Sequence, residues 1–227
     1  MINTLSPTRI NTVLFDLDGT LADTAPDLAA ALNAVRLSKG KPALPFEKIR
    51  PAVSRGGKAL IEVGFNLPPD SDKAENLRLQ LLDHYRENIA CHTRLFPGMD
   101  RVLAHIENNG SNWGVVTNKP GWLTEPLMAE LNLKQRAACI VSGDTLDERK
   151  PHPAPLLHAC QLAGSPPEHC VYIGDAERDM IAGNRAGMHT LLALFGYIGE
   201  TDRPLEWGAD ATLKSPEELL HWLIKAE

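Results

Sequence analysis

Two carboxylates, Asp16 and Asp18, stand one residue apart in Asp16-Leu17-Asp18-Gly19-Thr20-Leu21, directly after the apolar run Val13-Leu14-Phe15. In extended chain, residues i and i+2 point the same way, so both carboxylates can face one small polar substrate. One can attack while the other moves protons. An EF-hand loop also begins Asp-x-Asp, but it requires glycine at its sixth position and glutamate at its twelfth. This chain has Leu21 and Asp27 there, which excludes it.

The elements that would position these groups are short apolar strands alternating with helices. After the first strand, apolar runs recur at Trp113-Gly114-Val115-Val116, Ala138-Cys139-Ile140-Val141, Cys170-Val171-Tyr172-Ile173, Thr190-Leu191-Leu192-Ala193-Leu194 and Ala209 to Leu213. Helical spacing separates them, as in 153–163 and 177–186. Two-sided apolar strands of this kind predict a parallel sheet covered by helices on both faces, an α/β Rossmann-like architecture. From Pro26 to about Cys91 the apolar spacing is helical throughout (Leu28, Ala31, Leu32, Val35; later Leu77, Leu81, Leu82, Tyr85). That stretch predicts an all-helical domain, 23–92, inserted into a core formed by 1–22 and 93–227.

Parallel strands put their carboxyl ends on one edge, where open α/β sheets hold ligands. The residues predicted to converge there are Asp16 and Asp18, then Thr117-Asn118-Lys119, then Lys150-Pro151 beyond a loop, then Gly174-Asp175-Ala176-Glu177-Arg178-Asp179.

Composition narrows the class of partner. The 227 residues are 43% hydrophobic and 23% charged, with a net charge of -6. An acidic chain without a Lys/Arg cluster argues against a nucleic-acid surface. Cys91, Cys139, Cys160 and Cys170 show neither C-x-x-C nor zinc spacing and read as thiols of a reducing compartment. Residues 1–7 lack the basic and apolar regions of a signal peptide, and no run approaches the ~20 apolar residues of a membrane span. The expected setting is cytoplasmic, with no membrane partner, and the expected state is a monomer or a homodimer.

The ordered set Asp16-x-Asp18-Gly-Thr, Thr117, Lys150-Pro and Gly174-Asp175-x-x-x-Asp179 resembles the haloacid dehalogenase superfamily, in its phosphoglycolate-phosphatase-like group with a helical cap after the first motif. The motifs and the cap cover nearly the whole chain. The resemblance implies a Mg²⁺-dependent phosphatase of small phosphomonoesters. Asp16 is then the nucleophile that becomes an aspartyl phosphate, and carboxylates do serve as covalent nucleophiles. Asp18 is the general acid and base. Thr117, with the amides around Asn118 at a helix start, would hold phosphoryl oxygens. Lys150 would tie the phosphate to Asp16. Asp16, Asp175 and the main-chain carbonyl of Asp18 would bind the metal. Asp179 is a ligand through water, an orienting group or an ordinary helix residue.

Electrostatics adds an expectation. Four carboxylates and a phosphate dianion against Lys150 leave five negative charges in one pocket, which calls for a compensating cation. Oxygen ligands and a phosphate favour Mg²⁺ over zinc. The remaining charge suggests cations from the cap, with Arg55 and Lys58 in Ser54-Arg55-Gly56-Gly57-Lys58 as candidates and Gly56 allowing close backbone approach; a helix-capping loop is the alternative.

Within the resembling group the substrates implied are 2-phosphoglycolate and N-acetylmuramic acid 6-phosphate. The stretches 113–120, 54–58, 195–198 and 207–210 lean slightly toward the second. A sugar phosphomutase using the same nucleophile and a non-enzymatic binding module are the competing readings. A dehalogenase is disfavoured, since that branch lacks the aspartate at the position of Asp18.

Overall fold

A computed structural model describes residues 10–226; the leader reading of residues 1–7 lies outside them. The first strand, β1 (Thr12–Phe15), is followed by a tight turn and a two-residue strand, β2 (Ala22–Asp23). Helices α1 (Ala25–Ser38), α2 (Phe46–Ile49), α3 (Gly57–Phe65) and α4 (Asp72–Glu87) come next, and β3 (Arg94–Leu95) returns the chain. The remainder alternates: α5 (Met99–Asn108), β4 (Asn112–Val116), α6 (Gly121–Glu130), β5 (Cys139–Val141), α7 (Ala154–Ala163), β6 (Cys170–Gly174), α8 (Glu177–Ala186), β7 (His189–Ala193), β8 (Ala211–Leu213) and α9 (Pro216–Ala226).

Six strands form one parallel sheet in the order β5-β4-β1-β6-β7-β8. The chain leaves β1 toward β4 on one side and returns to β6 on the other. The crevice at the carboxyl end of β1 is therefore the topological switch point where such sheets bind ligands. Alternation sets the two layers. Val13, Phe15, Trp113, Val115, Val171 and Ile173 face one core with Val102, Leu103 and Leu219. Leu14, Val116 and Tyr172 face the other, with Leu156, Ala159 and Ala182 from α7 and α8. Both faces are covered, which is why these strands are apolar on both sides.

The helical insert leaves and re-enters the core through β2 and β3, which pair antiparallel (Ala22↔Leu95, Asp23↔Arg94). The sequence shows no alternation there because a two-residue strand has none to show. Buried Asp27, in the first turn of α1, accepts hydrogen bonds from the His92 and Thr93 amides and the Thr93 hydroxyl. Both chain crossings are thus fastened at one point. The helical reading of the insert needs one correction. Between α2 and α3 lie a 3₁₀ turn (Arg50–Ala52) and Gly56 at φ 82°, where the chain reverses before α3.

Candidate active site

The carboxyl edge of the sheet gathers the predicted groups. Asp16 follows β1 directly, and its Oδ1 accepts from the Leu17 amide at 2.7 Å and from Lys150 Nζ at 3.0 Å. Asp175 follows β6, and Asp179 lies in the first turn of α8. One oxygen from each of Asp16, Asp175 and Asp179 lies within 4.8 Å of the other two, and all three residues are buried. Asp179, fully buried, accepts from Lys150 Nζ at 2.8 Å and from the Ala176 amide at 3.1 Å. It is therefore no solvated helix residue.

Gly19 makes the approach of the β1 and β6 loops feasible. Its φ is 84°, and a Cβ there would collide with the Asp175 carboxylate and the Tyr197 ring. A residue with a side chain would be strained at that φ and would also displace Asp175.

Burial, then the charges of Asp16 and Asp179, push the Asp175 carboxyl up to about 7. Burial also works to raise Asp16, but the charges of Lys150 and Arg178 and the hydrogen bonds from Lys150 and Leu17 outweigh it and hold its carboxyl below the ordinary value. Asp175 Oδ2 accepts from Ser54 Oγ at 2.6 Å and from the Tyr197 amide at 2.8 Å, whereas its Oδ1 is buried with no partner among the described residues. An orphaned buried carboxylate oxygen beside two further carboxylates fits a hard divalent cation such as Mg²⁺, which binds through oxygen.

Several sequence expectations change here. The Asp18 carboxylate stands apart from the cluster: Thr24 Oγ1 donates to its Oδ1 at 2.5 Å and Lys119 Nζ at 3.0 Å. Lys150 is fully buried and already bonded to Asp16, Asp179, the Tyr172 hydroxyl (2.7 Å) and the Val116 carbonyl (2.9 Å). Its ammonium thereby bridges the two carboxylates. The Thr117 hydroxyl accepts from the Lys119 amide at 3.2 Å. The Asn118 side chain donates to the Lys150 carbonyl and accepts from its amide, pinning that loop. Helix α6 begins only at Gly121, so the amides near Asn118 lie in a loop and not at a helix start.

Among the described residues no ion pair links the expected cap cations to the site carboxylates. Lys58 pairs with exposed Asp70 at 2.8 Å. Arg55 is exposed, and Gly56 serves as the N-cap of α3. The same segment instead delivers Ser54 to Asp175 and Arg50 to the Gly196 and Phe195 carbonyls, with its guanidinium 4.8 Å from the Tyr197 ring centre.

Two cations at this edge were given no role by the sequence. Lys119 is buried between Asp18 and the ring of Tyr85 on α4, 4.5 Å from its centre. Burial alone would lower the Lys119 ammonium, but Asp18 and Tyr85 more than reverse this. Arg178 Nη2 lies 3.9 Å from Asp16 Oδ2. Both stand in stretches that the sequence placed at this edge, with no role assigned to either cation; Asp175 precedes α8 and Arg178 lies in its first turn. Four carboxylates against Lys119, Lys150 and Arg178 leave one negative charge before substrate binds. Charge counting alone therefore does not demand a metal; the converging oxygens and the orphaned Oδ1 carry that inference.

Comparison with known proteins agrees with this arrangement. Residues 13–193 match the family described as haloacid dehalogenase-like hydrolase. The chain is 41% identical to an N-acetylmuramic acid 6-phosphate phosphatase of Pseudomonas putida, covering 93% of this chain and 95% of that one. It is 42% identical to a phosphoglycolate phosphatase of Xanthomonas campestris pv. campestris, covering 91% and 93%. The crystal structure of a predicted phosphoglycolate phosphatase from Haemophilus somnus superposes with a TM-score of 0.83 at 25% identity, covering 95% and 98%. With its first carboxylate at the switch point of a parallel sheet and the family match spanning most of the chain, this protein belongs to the haloacid dehalogenase-like hydrolases.

Proposed function

We propose that the chain hydrolyses a small, carboxylate-bearing phosphomonoester, 2-phosphoglycolate or N-acetylmuramic acid 6-phosphate, through a phosphoryl group carried on Asp16. The observation that carries this reading is the asymmetry of Asp16. Its Oδ1 is fixed by Leu17 and Lys150, while its Oδ2 has no hydrogen bond among the described residues and faces Arg178 at 3.9 Å. A carboxylate held ionised by its neighbours, anchored at one oxygen and free at the other, is positioned as a nucleophile.

In the first step Oδ2 attacks phosphorus as the bond to the leaving oxygen breaks, and Asp18 gives that oxygen a proton. In the second, water attacks the phosphorus of the aspartyl phosphate, Asp18 takes the proton, and inorganic phosphate leaves with Asp16 restored. Asp16, Asp175 and Asp179 would hold Mg²⁺, which supplies charge neutralisation for the transferring phosphoryl group when bound. Lys150 keeps Asp16 and Asp179 in register, and Thr24 and Lys119 hold Asp18.

The insert, 23–92, acts in this reading as a cap on the core of 1–22 and 93–227, with Ser54 and Arg50 closing it over the site. Arg55 is the proposed partner of the substrate carboxylate; Lys58 is left out because Asp70 already engages it. Relatives of both names stand at nearly equal identity, so the proposal is confined to the shared feature of the two substrates, a phosphate and a carboxylate. Cytoplasmic location belongs to the same reading, supported by cysteine spacing that suits a reducing compartment.

The test is release of inorganic phosphate from the two substrates and from hexose phosphates, with wild type and Asp16→Asn compared at matched folding. The expected result is turnover of the carboxylate-bearing substrates and none by the variant. Return of the phosphoryl group to a sugar, or turnover that survives in Asp16→Asn, would overturn the proposal.

A further inference from the structure

At the edge of the sheet opposite the carboxylates, two buried thiols meet. Cys160 lies near the end of α7, and Cys170 opens β6. Cys160 Sγ donates to Cys170 Sγ at 3.4 Å, and Cys170 Sγ donates in turn to the Pro166 carbonyl at 3.3 Å. Sulfurs in contact can be joined without parting α7 from β6. Cys139 on β5 is buried too, but its Sγ donates to the Ala159 carbonyl at 3.7 Å.

The contact is reachable from solvent. An open pocket of about 380 Å³ is walled by Leu157, Cys160, Gly164, Ser165 and Pro166. Cys160 is 3% exposed and Cys170 not at all, so a small reagent meets Cys160 first. Acidity follows the same order. The hydrogen bond with Cys170 holds the Cys160 thiol below its ordinary value, against burial and the charge of Glu168. That same bond, and then burial, push the Cys170 thiol up. The thiolate is the form that attacks.

We infer that Cys160 and Cys170 form a thiol oxidation site, reached by a small hydroperoxide through this pocket and closed as an intramolecular disulfide. The Cys160 thiolate attacks one oxygen of hydrogen peroxide and the O–O bond breaks. The other oxygen leaves as hydroxide and takes up a proton to become water. Cys160, oxidised by two electrons, is then a sulfenic acid. The Cys170 sulfur attacks the Cys160 sulfur, and the S–S bond forms as the S–O bond breaks. The departing hydroxide takes the Cys170 proton and leaves as a second water. Where thiols are kept reduced, such a pair rests as two thiols and links only transiently. The strand that Cys170 opens carries Tyr172 to Lys150 and ends at Gly174, directly before Asp175, so the site lies on an element of the carboxylate cluster. The inference stands independently of the phosphatase reading.

The test exposes folded wild type to hydrogen peroxide until the exposed Cys91 is oxidised. Remaining thiols are then alkylated and the chain is cleaved after Glu168, which separates the two cysteines. Mass spectrometry is expected to find the two peptides joined, two hydrogens short, and released by dithiothreitol. Alkylation of Cys160 and Cys170 should be lost together, with the circular dichroism of the fold retained. In Cys170→Ser, dimedone should capture a sulfenic acid on Cys160; in Cys160→Ser, Cys170 should stay free. Full alkylation of both thiols after Cys91 has been oxidised would overturn the inference. So would a link from either thiol to Cys139 or Cys91, or a link that forms only once circular dichroism shows unfolding.

Discussion

Asp175 holds its charge in the least favourable setting of the site. It is buried, Asp16 and Asp179 are close, and one of its oxygens has no partner among the described residues, so its carboxyl rises from 3.8 to about 7. The consequence for stability has a definite sign. A carboxyl raised in the folded state stabilises the fold while protonated, and that contribution is lost as pH climbs from 3.8 through about 7. The metal-free protein should therefore lose melting temperature between pH 5 and pH 8, and Mg²⁺ should restore more of it at pH 8. Asp175→Asn should flatten the metal-free slope; an unchanged slope in that variant would refute the assignment. At this scale sequence reading was strongest for Asp16 and Asp175, because each ends an apolar strand. It placed Lys119 and Arg178 at this edge but gave them no role, because a buried cation carries no mark in the chain that separates it from a solvated one. The further partners of Lys150, the Tyr172 hydroxyl and the Val116 carbonyl, are long-range contacts that spacing does not reveal.

Elements matter here chiefly as carriers. The strands were legible because burial on both faces leaves short apolar runs, and the helix at 177–186 because its apolar spacing is regular. The two-residue β2 and β3 were not legible, although they carry the connection between insert and core. Asp27 shows how that connection is kept. Its carboxylate collects two amides and a hydroxyl across the crossing, at a sequence distance of 65 or 66 residues. Asp27→Ala leaves these buried donors unpaired, at a cost of about 2–4 kcal/mol. Thermal or denaturant unfolding should show that loss together with faster amide exchange at residues 92–95. A change below 0.5 kcal/mol, the range of an ordinary surface substitution, would mean that the clamp contributes little. Ser54 and Arg50 were illegible for the same reason of distance: Ser54 meets Asp175 121 residues away, and Arg50 meets Gly196 146 residues away.

On the scale of the whole molecule, the parallel sheet gathers residues from four separate stretches of sequence at one edge, and the insert lays a further stretch over it. Two of the insert's polar side chains, Arg50 and Ser54, bond to the core beside the carboxylates. No helix among the described residues is long and apolar enough to cross a membrane. The division of labour that emerges is chemical. Under the proposed function the core would supply the nucleophile, the metal-competent carboxylates and their orienting lysine, and the insert would supply closure. All of it depends on Asp16 bonding covalently to phosphorus. The most direct test is rapid acid quench of the protein during turnover of the better substrate, followed by peptide mass spectrometry. The account predicts a phosphoryl mass increment on the peptide that carries Asp16, localised to that residue and absent from Asp16→Asn. Turnover with no increment on Asp16, or with the increment on any other residue, would contradict it.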